Sequence, residues 1–224
     1  MPISNLSNGL RTGVCTSTNR PTTPYEGQVI YETDTDLSYI YNGSSWQQVS
    51  GGTAVGNSGL VYVTEATAAT AASLSVNNCF SSTHVNYFIR WNGKSSANDV
   101  AFSLRFRASG TDTSSADYKY TNQQQYVGIG AVGVSGSNAA TSISLGNISS
   151  SETDFHVQIA NPQVAKISLI GSEGINVQTA YSNGIDAYRA QGFLNNSTAY
   201  DGFTLFPASG TITGTVYVYG YRNS

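Results

Sequence analysis

Residues 99–108 read DVAFSLRFRA. Phe102, Leu104 and Phe106 alternate in this stretch with polar or basic side chains. An apolar residue at every second position is typical of a β-strand that has one buried and one solvent-exposed face. The stretch TDFHVQIA at 153–160 has the same period of two. Both stretches therefore predict β-strands that pack on a core with one face only.

Short apolar stretches recur throughout the rest of the chain and are separated by clusters of Gly, Ser, Asn and Asp. The further strand candidates lie at 60–65, 73–76, 84–91, 116–122, 141–146, 164–171, 185–194, 203–206 and 215–222. This spacing favours an all-β fold, an antiparallel β-sandwich with jelly-roll-like connections, over parallel strands joined by helices. The segment ATAATAA at 66–72 alone has helix propensity, and it is too short for more than one helical turn.

The N-terminal part has a different organisation. Residues 1–24 show no sustained period, which predicts an extended arm that is either mobile or bound to another subunit. Residues 25–50 read as a small three-stranded β-meander, and 51–59 as a flexible linker to a β-sandwich domain at 60–224. A meander of this size needs a further surface to cover its aromatic face, supplied by the arm, the sandwich or a neighbouring protein.

The composition excludes several classes of partner. Only 10% of the residues are charged and the net charge is −3, whereas binding to nucleic acid or to a membrane surface calls for clustered Lys and Arg. The chain has no signal-peptide pattern at its start and no apolar run long enough to span a bilayer. Cys15 and Cys79 are expected to be reduced thiols, small side chains in buried or half-buried positions.

Residues 128–133, GIGAVG, match the G-x-G-x-x-G pattern of dinucleotide-binding sites. In such sites a helix begins within the glycines, and its N-terminus holds the pyrophosphate. Here the residues VSGSNAATS follow, and they do not favour a helix. We therefore interpret the glycines as part of a strand or loop, and no cofactor is expected.

Glu32, Asp34 and Asp36 alternate in sequence like the first ligands of a calcium-binding loop. Leu37 and Gly43, however, stand where that loop requires Gly and Glu. Acidic residues with Thr between them are also typical of turns, since their side chains bond nearby backbone groups. A hairpin turn is the better interpretation.

Glu152, which precedes the strand candidate at 153–160, shares one face with Asp154 and His156, where the three could contribute to a metal site or an acid/base pair. Solvent-exposed residues of a sheet face are the simpler interpretation, because His84 is the only other histidine. The sequence contains no G-x-S-x-G elbow, no H-E-x-x-H and no cysteine in a catalytic context. It predicts neither an enzyme nor a metal site.

The segment YKYTNQQQY at 118–126 combines aromatic rings with amide side chains, a composition suited to contact with a sugar or a protein. A ligand or partner surface is expected there, with an ordinary edge strand and loop as the alternative. The residues of this candidate surface are Tyr118, Tyr120, Gln123, Gln124 and Tyr126.

Two N-terminal stretches resemble a short module of tailed-bacteriophage virion proteins, especially from phages of marine or cyanobacterial hosts. They are GLRTGVC at 9–15 and RPTTPYEGQVIYETDTDLSYIYNGSSWQQV at 20–49. The stretch TITGTVYVYGYRNS at 211–224 is similar to the end of phage appendage and decoration proteins that have a β-sandwich domain. The resemblance implies a virion component, assembled in the host cytoplasm, that binds other virion proteins and forms a homo-oligomer, frequently a trimer.

The resemblance implies no catalytic residue and favours a capsid decoration or cement protein, anchored by its N-terminal region with the sandwich facing outward. The residues expected to anchor it to major capsid or tail proteins are Arg11, Arg20, Pro21, Pro24, Tyr25, Tyr39, Tyr41 and Trp46. The alternative is a tail-associated receptor-binding protein that holds a host surface glycan by aromatic stacking and amide hydrogen bonds. A glycan depolymerase would require a pair of carboxylates in a cleft.

Overall fold

The computed structural model describes residues 12–50, 59–126, 130–178 and 184–222. These described residues form strands, turns and bends, and they contain no helix and hence none that could cross a membrane. The chain divides into two compact units, Met1–Asn57 and Ser58–Ser224. The prediction of an all-β protein is confirmed.

The small unit contains the strands β1 Gly13–Cys15, β2 Val29–Glu32, β3 Leu37–Tyr41 and β4 Trp46–Ser50. They form a sheet in the order β1-β2-β3-β4. The last three strands pair antiparallel, as in the predicted meander. β1 lies within the stretch predicted as an arm, and it pairs in parallel with β2. The sheet thus has one strand more than predicted, because a strand of three residues is too short to show a period in sequence.

The large unit is a β-sandwich. In chain order its strands are β5 Leu60–Ala71, β6 Leu74–Val76, β7 Asn86–Ser95, β8 Val100–Ala108, β9 Thr111–Asp112, β10 Tyr118–Tyr126, β11 Ala131–Ala140, β12 Ile143–Ile148, β13 Thr153–Ala160, β14 Ser168–Gln178, β15 Gly184–Leu194, β16 Gly202–Pro207 and β17 Ile212–Tyr221. One sheet has eight strands in the order β11-β10-β15-β14-β13-β7-β17-β5. The other has five: the order β12-β8-β16-β6, with β9 paired to β8. Jelly-roll connectivity, which uses eight strands in two Greek keys, is not confirmed.

The core of the sandwich lies between the two sheets and is rich in aromatic rings. Successive ring centroids lie 5.4 Å apart for Trp91 and Phe102, 5.8 Å for Phe102 and Phe155, and 6.0 Å for Phe155 and Tyr188. Such tilted contacts add to the stabilisation that each ring gains from burial. The predicted inward residues of β8 and β13 are buried, so the period of two identified the core correctly.

One segment differs from expectation, and the glycine-rich segment agrees with it. Residues 66–71, expected to form at most a helical turn, continue β5, because pairing with β17 overrides the helix propensity of the alanines in so short a segment. Residues 131–140, which include the end of the GIGAVG motif, form strand β11 rather than the start of a helix. The strand interpretation of these glycines is confirmed for the described residues. Both cysteines are free, Cys79 buried and Cys15 half-buried, as predicted.

Candidate binding surfaces

The hairpin turn between β2 and β3 is confirmed, and its acidic side chains have partners within the protein. Glu32 accepts hydrogen bonds from Arg20 Nε and from Thr35 Oγ1, the latter at 2.9 Å. The bond from Arg20 lowers the pKa of the Glu32 carboxyl group below its ordinary value. Asp34 accepts bonds from the backbone N and Oγ of Ser17 at 2.9 and 2.6 Å. Glu32 and Asp34 thus connect the segment before β2 to the end of that strand and to the turn that follows it.

The predicted anchoring residues are divided between structural and exposed positions. The Arg20 guanidinium lies 4.3 Å from the centroid of the Tyr39 ring, so this side chain is occupied within the unit. The rings of Tyr41 and Trp46 contact each other, with 5.4 Å between centroids, and both are half-buried. Tyr25 is 71% exposed and is available to a partner. Pro21 and Pro24 are half-buried, and Arg11 lies outside the described residues.

The predicted ligand surface on β10 is also divided. Tyr118 is fully buried, and its hydroxyl accepts a bond from Phe106 N at 2.8 Å and donates one to Thr113 O at 3.0 Å. Gln124 is half-buried and donates from Nε2 to the Tyr188 hydroxyl at 2.6 Å.

Tyr120 and Tyr126 are half-buried on the same side of the strand as Tyr118. Gln123 alone of the five predicted residues is exposed. The prediction of Tyr118 as a contact residue is therefore corrected: its ring belongs to the core.

The structure shows a more extensive surface on the outer face of the eight-stranded sheet, away from the core. Residues opposite one another on neighbouring strands form a row of mostly charged and aromatic side chains across this face. In order, the row is Gln123, Arg189, Glu173, His156, Arg90, Tyr217 and Glu65. The row contains both acidic and basic groups, which provide hydrogen-bond acceptors and donors.

Ion pairs fix the side chains of this row. Arg90 donates from Nε and Nη2 to one carboxylate oxygen of Asp154, at 3.0 and 2.9 Å. The other oxygen of Asp154 lies 2.9 Å from Nε2 of His156. Arg189 Nη2 donates to Glu173 Oε1 at 2.7 Å. These charged hydrogen bonds connect side chains on neighbouring strands of the outer face, where they are largely exposed to solvent.

The same residues line a groove of about 810 Å³. Ala187 and Ile175 form part of its lining, and Gln123 and Gln125 lie at one side. An adjoining depression of about 200 Å³ contains Gly171, at which an added Cβ would meet no atom within 4 Å. The volume of the groove lies in the range of ligand-binding pockets.

Aromatic side chains continue the surface beyond the groove. The ring of Phe88 lies 5.5 Å from that of His156 and 6.3 Å from that of Tyr219. Tyr62 lies next to Tyr219, with 6.0 Å between the centroids. The outer face thus combines planar apolar rings with fixed polar groups, a composition that fits binding.

The sequence did not reveal Arg90, Glu173 and Arg189 as members of one site. The alternation within β7, β14 and β15 does place them on exposed faces, but the strand order that brings them together is not readable from the chain. The carboxylates of Asp154 and Glu173 form ion pairs with Arg90 and Arg189, respectively.

Comparison of the sequence with protein-family models and with curated proteins found no match.

Proposed function

We propose that this chain is a structural protein of a tailed-bacteriophage virion, a capsid decoration or cement protein that attaches through its small unit. One observation carries the proposal: the small unit has very little core of its own. Among its described residues with a described side chain, only Ile30 and Glu32 are buried. Small sheets of this kind require packing against another surface for stability.

The small unit also exposes apolar side chains that a partner could cover. Val14, Tyr25 and Val49 are 66%, 71% and 58% exposed. The sandwich, by contrast, has an extensive core. A complete unit joined to an incomplete one is the arrangement expected of a display domain with an attachment module, in which binding completes the smaller core. The protein acts without catalysis in this proposal.

Reconstitution on particles tests the attachment. Purified full-length protein is added to particles produced without it, and bound protein is measured after sedimentation. Tyr25→Ser and Val49→Lys are each expected to reduce binding by about tenfold or more, since exposed aromatic and apolar anchors dominate such contacts. Val164→Lys, at a position of the sandwich that is 42% exposed, is the matched control and should bind like the wild type.

Thermal unfolding of every variant is measured first, so that loss of binding is not confused with loss of fold. Wild-type binding by both small-unit variants would contradict attachment through these side chains. Reduced binding by Val164→Lys alone would instead place the contact on the sandwich. Homo-oligomer formation, which the resemblance implies, stays a prediction.

A second function is favoured by the groove on the outer sheet face: binding of a host surface glycan by a tail-associated protein. Sugars present hydroxyl groups to polar side chains and apolar ring faces to aromatic residues. The ion-paired Arg189 and Glu173 and the nearby ring of Phe88 offer both kinds of contact. The near balance of acidic and basic groups suits a neutral sugar chain.

Binding to purified surface polysaccharide of the host strain tests this second function. Arg189→Ala and Phe88→Leu should each weaken binding by about fivefold or more, a loss of about 1 kcal/mol. Lys166→Ala, an exposed position that does not line the groove, removes a positive charge as the control. Absence of wild-type binding to the polysaccharide would contradict the glycan function while leaving the particle attachment intact.

A further inference from the structure

Apart from the two-residue strand β9, the sandwich has four edge strands in its described residues, and three of these four are protected against pairing with another chain. β6 has only three residues. β12 has mostly buried side chains and an irregular register near Gly146. Short strands, irregular pairing and burial are the usual means by which a protein blocks its sheet edges.

The third protected edge is β5. Its register with β17 shifts at two places, and Thr70 has a positive φ of 55°. Glu65 adds a charge on the exposed side of the strand. Shifts and charges of this kind oppose pairing with a further strand.

β11 lacks these protections over most of its length, because its register with β10 shifts only at its end, between Ser137 and Ala140. It pairs with β10 over seven consecutive residue pairs, from Ser137 to Ala131, without a shift. Its sequence, AVGVSGSNAA, contains no charged residue and no proline. None of its residues is buried, and Val132 and Val134 are 57% and 74% exposed.

Among the described residues β11 pairs with β10 alone, so its other side presents free backbone donors and acceptors. A regular, uncharged and exposed edge of this length is a template for another strand.

We propose that β11 of one copy pairs antiparallel with β11 of a second copy about a two-fold axis, which joins two eight-stranded sheets into one. A two-fold contact places the same surface on both sides. An uncharged strand can pair with itself without placing like charges opposite each other. Pairing of β11 with β5 would instead meet the shifted register and Glu65.

The proposal does not depend on the particle function. A pair of strands buries less surface than the roughly 1,200 Å² of a stable interface. The expected dimer is therefore weak, with a dissociation constant on the order of 10–100 μM.

Sedimentation velocity of the full chain, over concentrations from about 1 to 300 μM, measures this equilibrium. The wild type should pass from monomer to dimer. Val134→Lys and Val134→Glu should each weaken the dimer by about tenfold or more, because both place like charges near the two-fold axis. An equimolar mixture of the two variants should restore it.

Val61→Lys is the matched control, because Val61 is an exposed valine on the other edge strand, β5. It should dimerise like the wild type. If it weakens association as much as Val134→Lys does, the contact joins β11 to β5 and the two-fold pairing is wrong. Hydrogen exchange of the wild type supplies a measurement without a variant: amides of residues 131–137 should become protected as the concentration rises.

Three results would overturn the proposal. The first is a monomer at every concentration. The second is an oligomer, such as a trimer, that Val134→Lys does not affect. The third is concentration-independent exchange in β11.

Discussion

Arg20 and Glu32 form an ion pair across the small sheet, in which Nε of Arg20 donates to Oε1 of a carboxylate whose side chain has no solvent exposure. Arg20 precedes β2, and Glu32 is the last residue of that strand. The pair therefore ties the segment before β2 onto the face of the sheet. Since the unit has so few buried side chains, this contact is one of its main restraints.

The ion pair predicts that the small unit is sensitive to acid. The pKa of Glu32 is lowered in the folded chain, chiefly by the bond from Arg20, so the carboxylate form stabilises folding. That stabilisation is present above the ordinary glutamate pKa of about 4.3 and is lost as the pH falls through the lower folded value. Glu32→Gln should unfold more easily at pH 7 and lose this acid dependence.

Fluorotryptophan labelling separates the two units in this experiment, because the two tryptophans, Trp46 and Trp91, lie in different units. The fluorine resonance of Trp46 should change on acidification before that of Trp91. Equal acid dependence in the wild type and Glu32→Gln would show that another group controls the transition.

Two glycines of β14 provide a matched test of core packing. A Cβ added at Gly174 would lie 2.1 Å from the Phe155 ring, which is itself held by Phe102 and Tyr188. Gly174→Ala should therefore destabilise the sandwich by about 1–3 kcal/mol. Gly171→Ala, where an added Cβ meets nothing within 4 Å, should change stability by less than about 0.5 kcal/mol. Denaturant unfolding measures both, and equal effects would contradict this account.

Tyr118 should behave as a core residue. Tyr118→Phe removes the acceptor of the buried Phe106 N–H, and an unpaired buried donor costs about 1–3 kcal/mol. Thermal or urea unfolding measures this loss. Gln123→Ala, an exposed neighbour on the same strand, is the control and should be nearly neutral. A neutral Tyr118→Phe together with reduced ligand binding would restore Tyr118 as a contact residue.

The two thiols should differ in reactivity. Burial raises the pKa of the Cys79 thiol to about 12, so very little thiolate forms near neutral pH. Cys15 is half-buried, and burial raises its pKa as well. A disulfide reagent at pH 8 should modify Cys15 at least about a hundredfold faster than Cys79 in the native protein. Cys15→Ser should leave a single slow phase that becomes fast in denaturant, and a remaining fast phase under native conditions would contradict the prediction.

The sequence predicted strands well wherever one face is apolar and the other polar. β8 and β13 are such strands, and their buried residues follow the expected period. The segment 66–71 was predicted wrongly because the helix propensity of its alanines is outweighed, in so short a segment, by strand pairing with β17. β10 carries polar side chains on both faces, so the period could not show that Tyr118 and Gln124 point inward.

The candidate site depends on contacts between strands that are distant in sequence, and these contacts cannot be read from a single sequence. Arg90 and Asp154 are 64 residues apart, and they meet because β7 pairs with β13. Glu173 and Arg189 meet through the pairing of β14 with β15. The sequence favoured binding over catalysis, which stays a prediction, while the register of the sheet determined which side chains share a surface.

The position of β17 determines when each unit can fold during synthesis. β17 lies between β7 and β5 in the sheet, yet it is made after every other described strand. β5 therefore stays without its neighbour until residues 212–221 leave the ribosome. The strands of the small unit are adjacent in sequence and can pair much earlier. The nascent sandwich is thus expected to keep open sheet edges until its last strand is made, whereas strand pairing in the small unit does not depend on the end of synthesis.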